Sequence, residues 1–235
     1  MDYEAIKQTA TEIIHGVRQI YRLHAEGEQG RISGGKRNVE ASCILGTSSE
    51  TDLSDTSEYQ AIIQERLLED YAKHEKIWYD HDTIRKKWNR IDNRNGAEAE
   101  VYLEKNRKYV RKVFHYINSD TPLEFIDNRI SLHNSLFPPT KYKLIGFTRT
   151  IKGFAFIIKQ VFIIGRGINS GDNLSQYMKD IGFPNEKNMC YWNDILEIGD
   201  LHEGNVLKGK NGEFYFIDTI PCLKDKSFYQ RFSIR

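Results

Sequence analysis

Gly199-Asp200-Leu201-His202-Glu203-Gly204-Asn205 runs into Val206-Leu207, an Asn211-Gly212 pair and Phe214-Tyr215-Phe216-Ile217-Asp218, and the reading of the chain turns on this stretch. Asn-Gly between two apolar runs signals a two-residue hairpin, because both central residues of that turn take positive φ. Such a hairpin places Asn205 directly across from Asp218. Cross-strand partners share a face, with Cβ atoms roughly 4.5–5.5 Å apart. A carboxamide oxygen and a carboxylate that close form a hard-oxygen pair, which suits a small divalent cation whose other positions are filled by phosphate and water. Asp200 then stands on the loop that enters the hairpin.

Working upstream, residues 99–104 and 108–115 alternate with period two and are rich in β-branched and aromatic side chains, so they read as an antiparallel pair across Lys105-Asn106-Arg107. Val110, Lys112 and Phe114 share one face of the second strand. A lysine on an apolar face either snorkels to an edge or meets an anion, because an isolated buried ammonium is costly. Thr121-Pro122 supplies N-cap and first-turn signals for a helix, with Glu124 in its first turn and Phe137-Pro138-Pro139 as its stop. Glu124 or Asp127 could meet Lys112, although acids in a first turn are also ordinary complements of the helix dipole. Residues 142–148 and 153–164 read as two further strands, 165–172 as a linker, and 173–181 and 189–196 as helices.

The first ninety-odd residues read differently. Tyr3, Ile6, Ala10, Ile13, Val17 and Ile20 recur at helical steps, as do Tyr59, Ile62, Leu67, Leu68 and Ala72. Ile77, Trp78, Ile84, Trp88 and Ile91 suggest a shorter helix that starts near Asp82 or Thr83. Residues 27–38 are rich in glycine and basic side chains without the order of a phosphate-binding Walker loop, which leaves a solvated connector or an anion-binding loop. Residues 47–57 form a Ser/Thr/Asp linker. With 34 basic against 33 acidic side chains, no global field points to nucleic acid, and nucleic acid is an unlikely partner. Cys43, Cys190 and Cys222 are odd in number and scattered, which fits a reducing, cytoplasmic setting. The start lacks a basic segment followed by an apolar run, and the most apolar stretch, 154–164, is too short to span a bilayer, so no membrane association is expected.

The D-x-x-x-x-N spacing of Asp200 and Asn205, followed by an apolar strand that ends in Asp218, resembles the catalytic loop and metal-binding Asp of the protein-kinase-like superfamily. More narrowly, Glu98-Ala99-Glu100-Val101-Tyr102-Leu103, Phe137-Pro138 before Gly146-Phe147, and Gln160-Val161-Phe162-Ile163 are similar to the kinase domains of polyvalent proteins from phages and conjugative elements, that is, from mobile genetic elements. The resemblance implies an α+β chain: an N-terminal helical module over 1–92, then a compact protein-kinase-like fold over 93–235 with an antiparallel five-stranded sheet lobe and a reduced helical lobe. It implies ATP and Mg²⁺ as cofactors. Asp200 and Lys112 would be catalytic, Asn205 and Asp218 would hold metal, and Gly96, Val110, Lys112, Glu124, Gln160, Val161, Phe162 and Ile163 would bind ATP. Ile198 stands where such proteins usually carry His, and Asp218-Thr219-Ile220 replaces D-F-G. The few residues after Asp218 leave no room for an activation segment. The implied activity is phosphoryl transfer to a protein or small-molecule hydroxyl. The alternatives are a pseudokinase or nucleotide-binding module, and an AMP transferase on the same fold.

Overall fold

The computed structural model describes residues 57–91 and 98–224. The first predicted helix, the glycine-rich segment 27–38, the linker 47–56 and Gly96 lie outside the described residues. Helix α1 (Ser57–His74) leads through Trp78 to α2 (His81–Lys87), whose N-cap Asp80 accepts from the Thr83 amide at 2.7 Å. An Asp side chain there satisfies one of the orphan donors of the first turn.

Five strands follow: β1 (Asn89–Arg90), β2 (Ala99–Leu103), β3 (Tyr109–Phe114), β4 (Lys143–Thr150) and β5 (Gly153–Val161). They form one antiparallel sheet in the order β1-β2-β3-β5-β4. The predicted strands are present. The fifth, β1, lies at the end of the segment that reads as a helix, since α2 stops at Lys87 and Trp88 turns into extended backbone.

Both faces of this sheet are covered. Phe154, Phe156 and Ile158 meet Leu68 and Ala72 of α1 together with Phe125, Ile126 and Ile130, while Ala155 and Ile157 pack with Ile84, Val113 and Tyr102 on the other side. Burial on two sides explains why β5 reads as a continuous apolar run. Between β3 and β4 the helical segment opens as predicted at Thr121 and Pro122. It comprises α3 (Pro122–Phe125), a π-helical stretch over Ile126–Leu132 and α4 (His133–Leu136). Gln64 of α1 accepts from the Leu123 amide at 2.9 Å, supplying a partner that the first turn lacks.

The second half is built mainly from short strands. β6 (Arg166–Gly167) pairs with β10 (Val206–Lys208), which pairs with β11 (Phe214–Phe216). A four-stranded sheet runs in the order β12-β9-β8-β7, with β7 (Asn185–Lys187), β8 (Cys190–Trp192), β9 (Leu196–Gly199) and β12 (Ile220–Leu223). Helix α5 (Leu174–Asp180) matches the prediction. The helix expected over 189–196 does not form: Cys190-Tyr191-Trp192 is a strand, as β-favouring aromatic side chains allow. Leu174, Met178, Leu196, Ile198, Leu201, Val206 and Phe216 close the core of this half.

Candidate functional site

Two ladders set the site. β9 pairs with β12 through Gly199↔Ile220 and Pro221↔Ile198, so Asp200 leaves the end of one strand where Asp218-Thr219 enters the other. The β10–β11 hairpin carries Asn205 and Ile217 at its base. Its register pairs Val206 with Phe216 and Lys208 with Phe214, which puts Asn205 across from Ile217 and corrects the expected Asn205–Asp218 facing pair. The cause lies in the turn. Among the described residues at the tip only Gly212 takes positive φ, at 84°, and the Gly209 amide donates to Glu213 O at 2.9 Å. That is a three-residue loop ending in a left-handed glycine, and it shifts the register by one position.

Asn205 turns its carboxamide toward Asp200 instead, donating from Nδ2 to Asp200 O at 2.9 Å and to Oδ2 at 2.6 Å. Its main-chain oxygen accepts from the Ile217 amide at 2.8 Å. Asp200 adopts φ 67°, the left-handed region that short polar side chains tolerate best. The Gly204 amide donates to His202 Nδ1 at 3.0 Å, which turns Nε2 toward Asp200 Oδ1 at 3.5 Å. The loop therefore presents the Asp200 carboxylate, its side chain 43 % exposed, in an orientation fixed by its own neighbours. Gly167 of β6 seats it, since a Cβ there would lie 2.5 Å from Glu203 O.

Asp218 meets the upper half. Lys112, 4 % exposed, donates from Nζ to Ile217 O at 2.7 Å and lies 3.7 Å from Asp218 Oδ2. Burial pulls the lysine below its usual pKa, opposed by the Asp218 charge. Arg129, from the π-helical stretch, donates to Asp218 Oδ1 at 2.9 Å, to Glu98 Oε2 at 2.6 Å and to Thr219 O at 2.7 Å. Burial raises the Glu98 pKa; the Arg129 charge opposes this, and the nearby Asp218 and Asp200 charges reinforce it. Thr219 is fully buried, and its Oγ1 lies 3.1 Å from His133 Nδ1. Glu124 does not reach Lys112. Its carboxylate accepts from the Asp120 amide at 2.7 Å, closing the helix start. Asp127 is buried with Oδ1 unpartnered and its pKa pushed up to about 7, first by burial and then by Glu124.

Val110 and Gln160 pair across β3 and β5 on the same face as Lys112, and Gln160 donates to Thr140 O at 2.7 Å. The amide of Phe162, one of the residues that the resemblance assigns to ATP, donates instead to Lys108 O at 2.9 Å. Main-chain groups alternate in direction along an antiparallel strand, and β4 pairing begins only at Lys143↔Lys159. Val161 and Ile163 therefore carry the main-chain groups on the unladdered edge. Arg129 and Glu98 were not read from the sequence as site residues. A usable signal was present: Asp127-Asn128-Arg129 places three strongly polar residues in a row between apolar Phe125-Ile126 and Ile130, with Leu132 past Ser131, and all three are buried.

Asp218 and Asn205 do not face each other across the hairpin, but each carries an oxygen of the kind Mg²⁺ accepts, and Mg²⁺ takes few oxygens from protein when phosphates supply others. Among the described residues no group of three or more His, Cys, Asp or Glu gathers as a metal site, so a cation here would complete its shell from phosphate and water. An open groove of about 530 Å³ lies beside the Asp200 loop, lined by His202, Glu203, Asn173, Asn188, Met189 and Tyr191 among others. No helix among the described residues is long and apolar enough to cross a membrane.

No curated protein matches the chain. Residues 62–225 match the family described as the serine/threonine/tyrosine kinase found in polyvalent proteins, from within α1 to just past β12. With most of its length inside that match, and with a lysine-bearing sheet set above an Asp200–Asn205 loop and Asp218, the chain belongs to the polyvalent-protein kinase family.

Proposed function

We propose that the chain is an ATP- and Mg²⁺-dependent phosphotransferase acting on a protein hydroxyl in the cytoplasm. The observation that carries this reading is the β9–β12 ladder: it brings Asp200 and Asp218 to one end of a sheet, where Lys112 approaches within 3.7 Å of Asp218. In this reading Lys112 holds the ATP phosphates, and Asp218 and Asn205 hold the metal, which neutralises phosphate charge. Asp200 accepts the proton of the attacking hydroxyl, a role its exposure and its fixed orientation by His202 and Asn205 favour. Val110 and Gln160 would flank the adenine, with the main chain of Val161 and Ile163 as its hydrogen-bonding edge. Gly96 would border the phosphates. The groove beside Asp200 is open and polar, which suits a polypeptide segment better than a small metabolite, because small-molecule sites enclose most of their ligand.

The test is incubation with γ- and α-labelled ATP, comparing the wild type with Asp200→Ala. Label from the γ position that disappears in the variant supports the reading; label from the α position would replace it with AMP transfer. One observation favours a second reading, a nucleotide-binding module without transfer: Asp218 is already paired with two cations. Metal-dependent stabilisation by ATP that is lost in Asp218→Ala, with no labelled product from any acceptor, would select it.

A further inference from the structure

Arg129 comes from the helix that crosses behind the sheet, and its side chain is only 4 % exposed. Its guanidinium divides three ways, to Glu98, to Asp218 and to the Thr219 carbonyl, and lies 5.3 Å over the Phe114 ring. Fork geometry matches this arrangement of acceptors, whereas an ammonium is a single point charge. The π-helical turn presents Arg129 together with the buried Asp127 and Asn128, and such turns often occur where a side chain has a task.

We infer that Arg129 is the positioning residue for the Asp218 carboxylate, holding Oδ1 through Glu98 and Thr219 and leaving Oδ2 as the oxygen available to a cation. The inference rests on the phosphotransferase reading of the site. The two oxygens are already unequal: Oδ1 accepts from Arg129 at 2.9 Å, and Oδ2 has the longer 3.7 Å contact with Lys112. Charge supports the assignment. Lys112 and Arg129 balance Glu98 and Asp218, so the cluster carries no net buried charge before ligand arrives, and an unbalanced one would be costly. Lys112 is then free to move to an incoming phosphate while Arg129 keeps the carboxylate in place.

The test uses thermal unfolding of the full chain with ATP held constant and Mg²⁺ titrated, reading the Mg²⁺ concentration at half of the ATP-dependent rise in Tm. Groups that orient a metal ligand typically affect metal affinity by 10- to 100-fold, so Arg129→Lys should raise that midpoint about tenfold or more. Glu98→Gln should raise it less, because Arg129 then concentrates its charge on Asp218 and weakens the pull of the carboxylate on a second cation. If circular dichroism finds Arg129→Lys unfolded, Glu98→Gln carries the test alone. Midpoints equal to the wild type overturn the inference. A wild-type Tm that does not respond to Mg²⁺ with ATP overturns the phosphotransferase reading instead, and the two failures are thereby told apart.

Discussion

In the upper sheet β5 buries every side chain from Phe154 to Ile158, whereas in the lower half β7 leaves all three of its residues exposed and no strand among the described residues exceeds four residues. Left-handed backbone follows the same division. Of the six non-glycine residues with positive φ among the described residues, Asn173, Asn188, Met189 and Asp200 lie in the lower half around the groove. Such conformations cost of order 1–3 kcal/mol each and persist where surrounding structure over-determines them. Here the over-determination is visible: the Leu201 amide donates to Met189 O at 3.0 Å, and Asp172 ties Arg166, Lys208 and the Asn169 amide together. Arg166 first, then Lys208, holds the Asp172 carboxyl well below the usual carboxylate range. The comparison teaches that packing carries the upper half, while directed polar contacts shape the lower one.

The sharpest way to break this contrast is Phe156→Ala. Phe156 is fully buried and stacks on Phe125 at 4.5 Å between ring centres, so the truncation should cost about 3–5 kcal/mol in urea unfolding. Ile151→Ala, at a fully exposed position, should change stability by less than about 0.5 kcal/mol. Equal losses would remove the distinction.

Gly167→Ala probes the lower half. An added Cβ must push against Glu203 O at 2.5 Å and so displace the loop that carries Asp200. A displacement on the order of 1 Å can cost about 100-fold in rate, so on the phosphotransferase reading proposed above, γ-phosphate transfer should fall by roughly that factor while Tm drops only slightly. A variant that transfers at the wild-type rate would mean that the loop is not seated by β6.

Acid response separates two buried groups on one helical segment. Burial pushes His133 down to about 3, so the native imidazole stays neutral while the unfolded one charges below its ordinary 6.5, and stability falls as pH drops from 6.5 toward 3. Asp127 works in the opposite sense. Its native pKa near 7 exceeds the unfolded value of about 3.9, so its contribution is present at low pH and is lost as pH rises from about 4 to 7. The two slopes oppose each other in the wild type. Asp127→Asn should therefore lose about 1.4 kcal/mol between pH 7 and 5.5, and His133→Gln should gain stability over the same interval. Flat urea midpoints in both variants would refute the pairing.

The smallest effect is expected at Met189, which is exposed and sits at φ 63° in the β7–β8 turn. Met189→Gly should stabilise the protein by about 0.5 kcal/mol, relief of the left-handed backbone outweighing the entropy of glycine. A drop in Tm would mean that the Met189 side chain contributes more by packing than its exposure suggests.

Much of the upper half could be read from residues alone, because period-two apolar patterns and the Thr121-Pro122 start are local signals with local causes. The candidate loop was also legible, through the spacing of Asp200, Asn205 and Asp218. What escaped was non-local. Whether Asn211 joins Gly212 in positive φ decides the hairpin register, and the sequence of the turn permits both outcomes. Arg129 reaches Asp218 only because a π-helical turn and a second sheet meet there. The 189–196 segment lacks a pattern that excludes a helix, and its strand form follows from pairing with β9.

The Gly199↔Ile220 pairing has a mechanical corollary. Asp200 and Asp218 both lie just past the last rung of one ladder, whereas Lys112 reaches Asp218 and the Ile217 carbonyl from the opposite lobe. Because Arg129, from the helix packed on the upper sheet, grips Asp218 and the Thr219 carbonyl, any shift of one lobe against the other would pull on the Asp218 carboxylate directly and reach Asp200 only through the ladder.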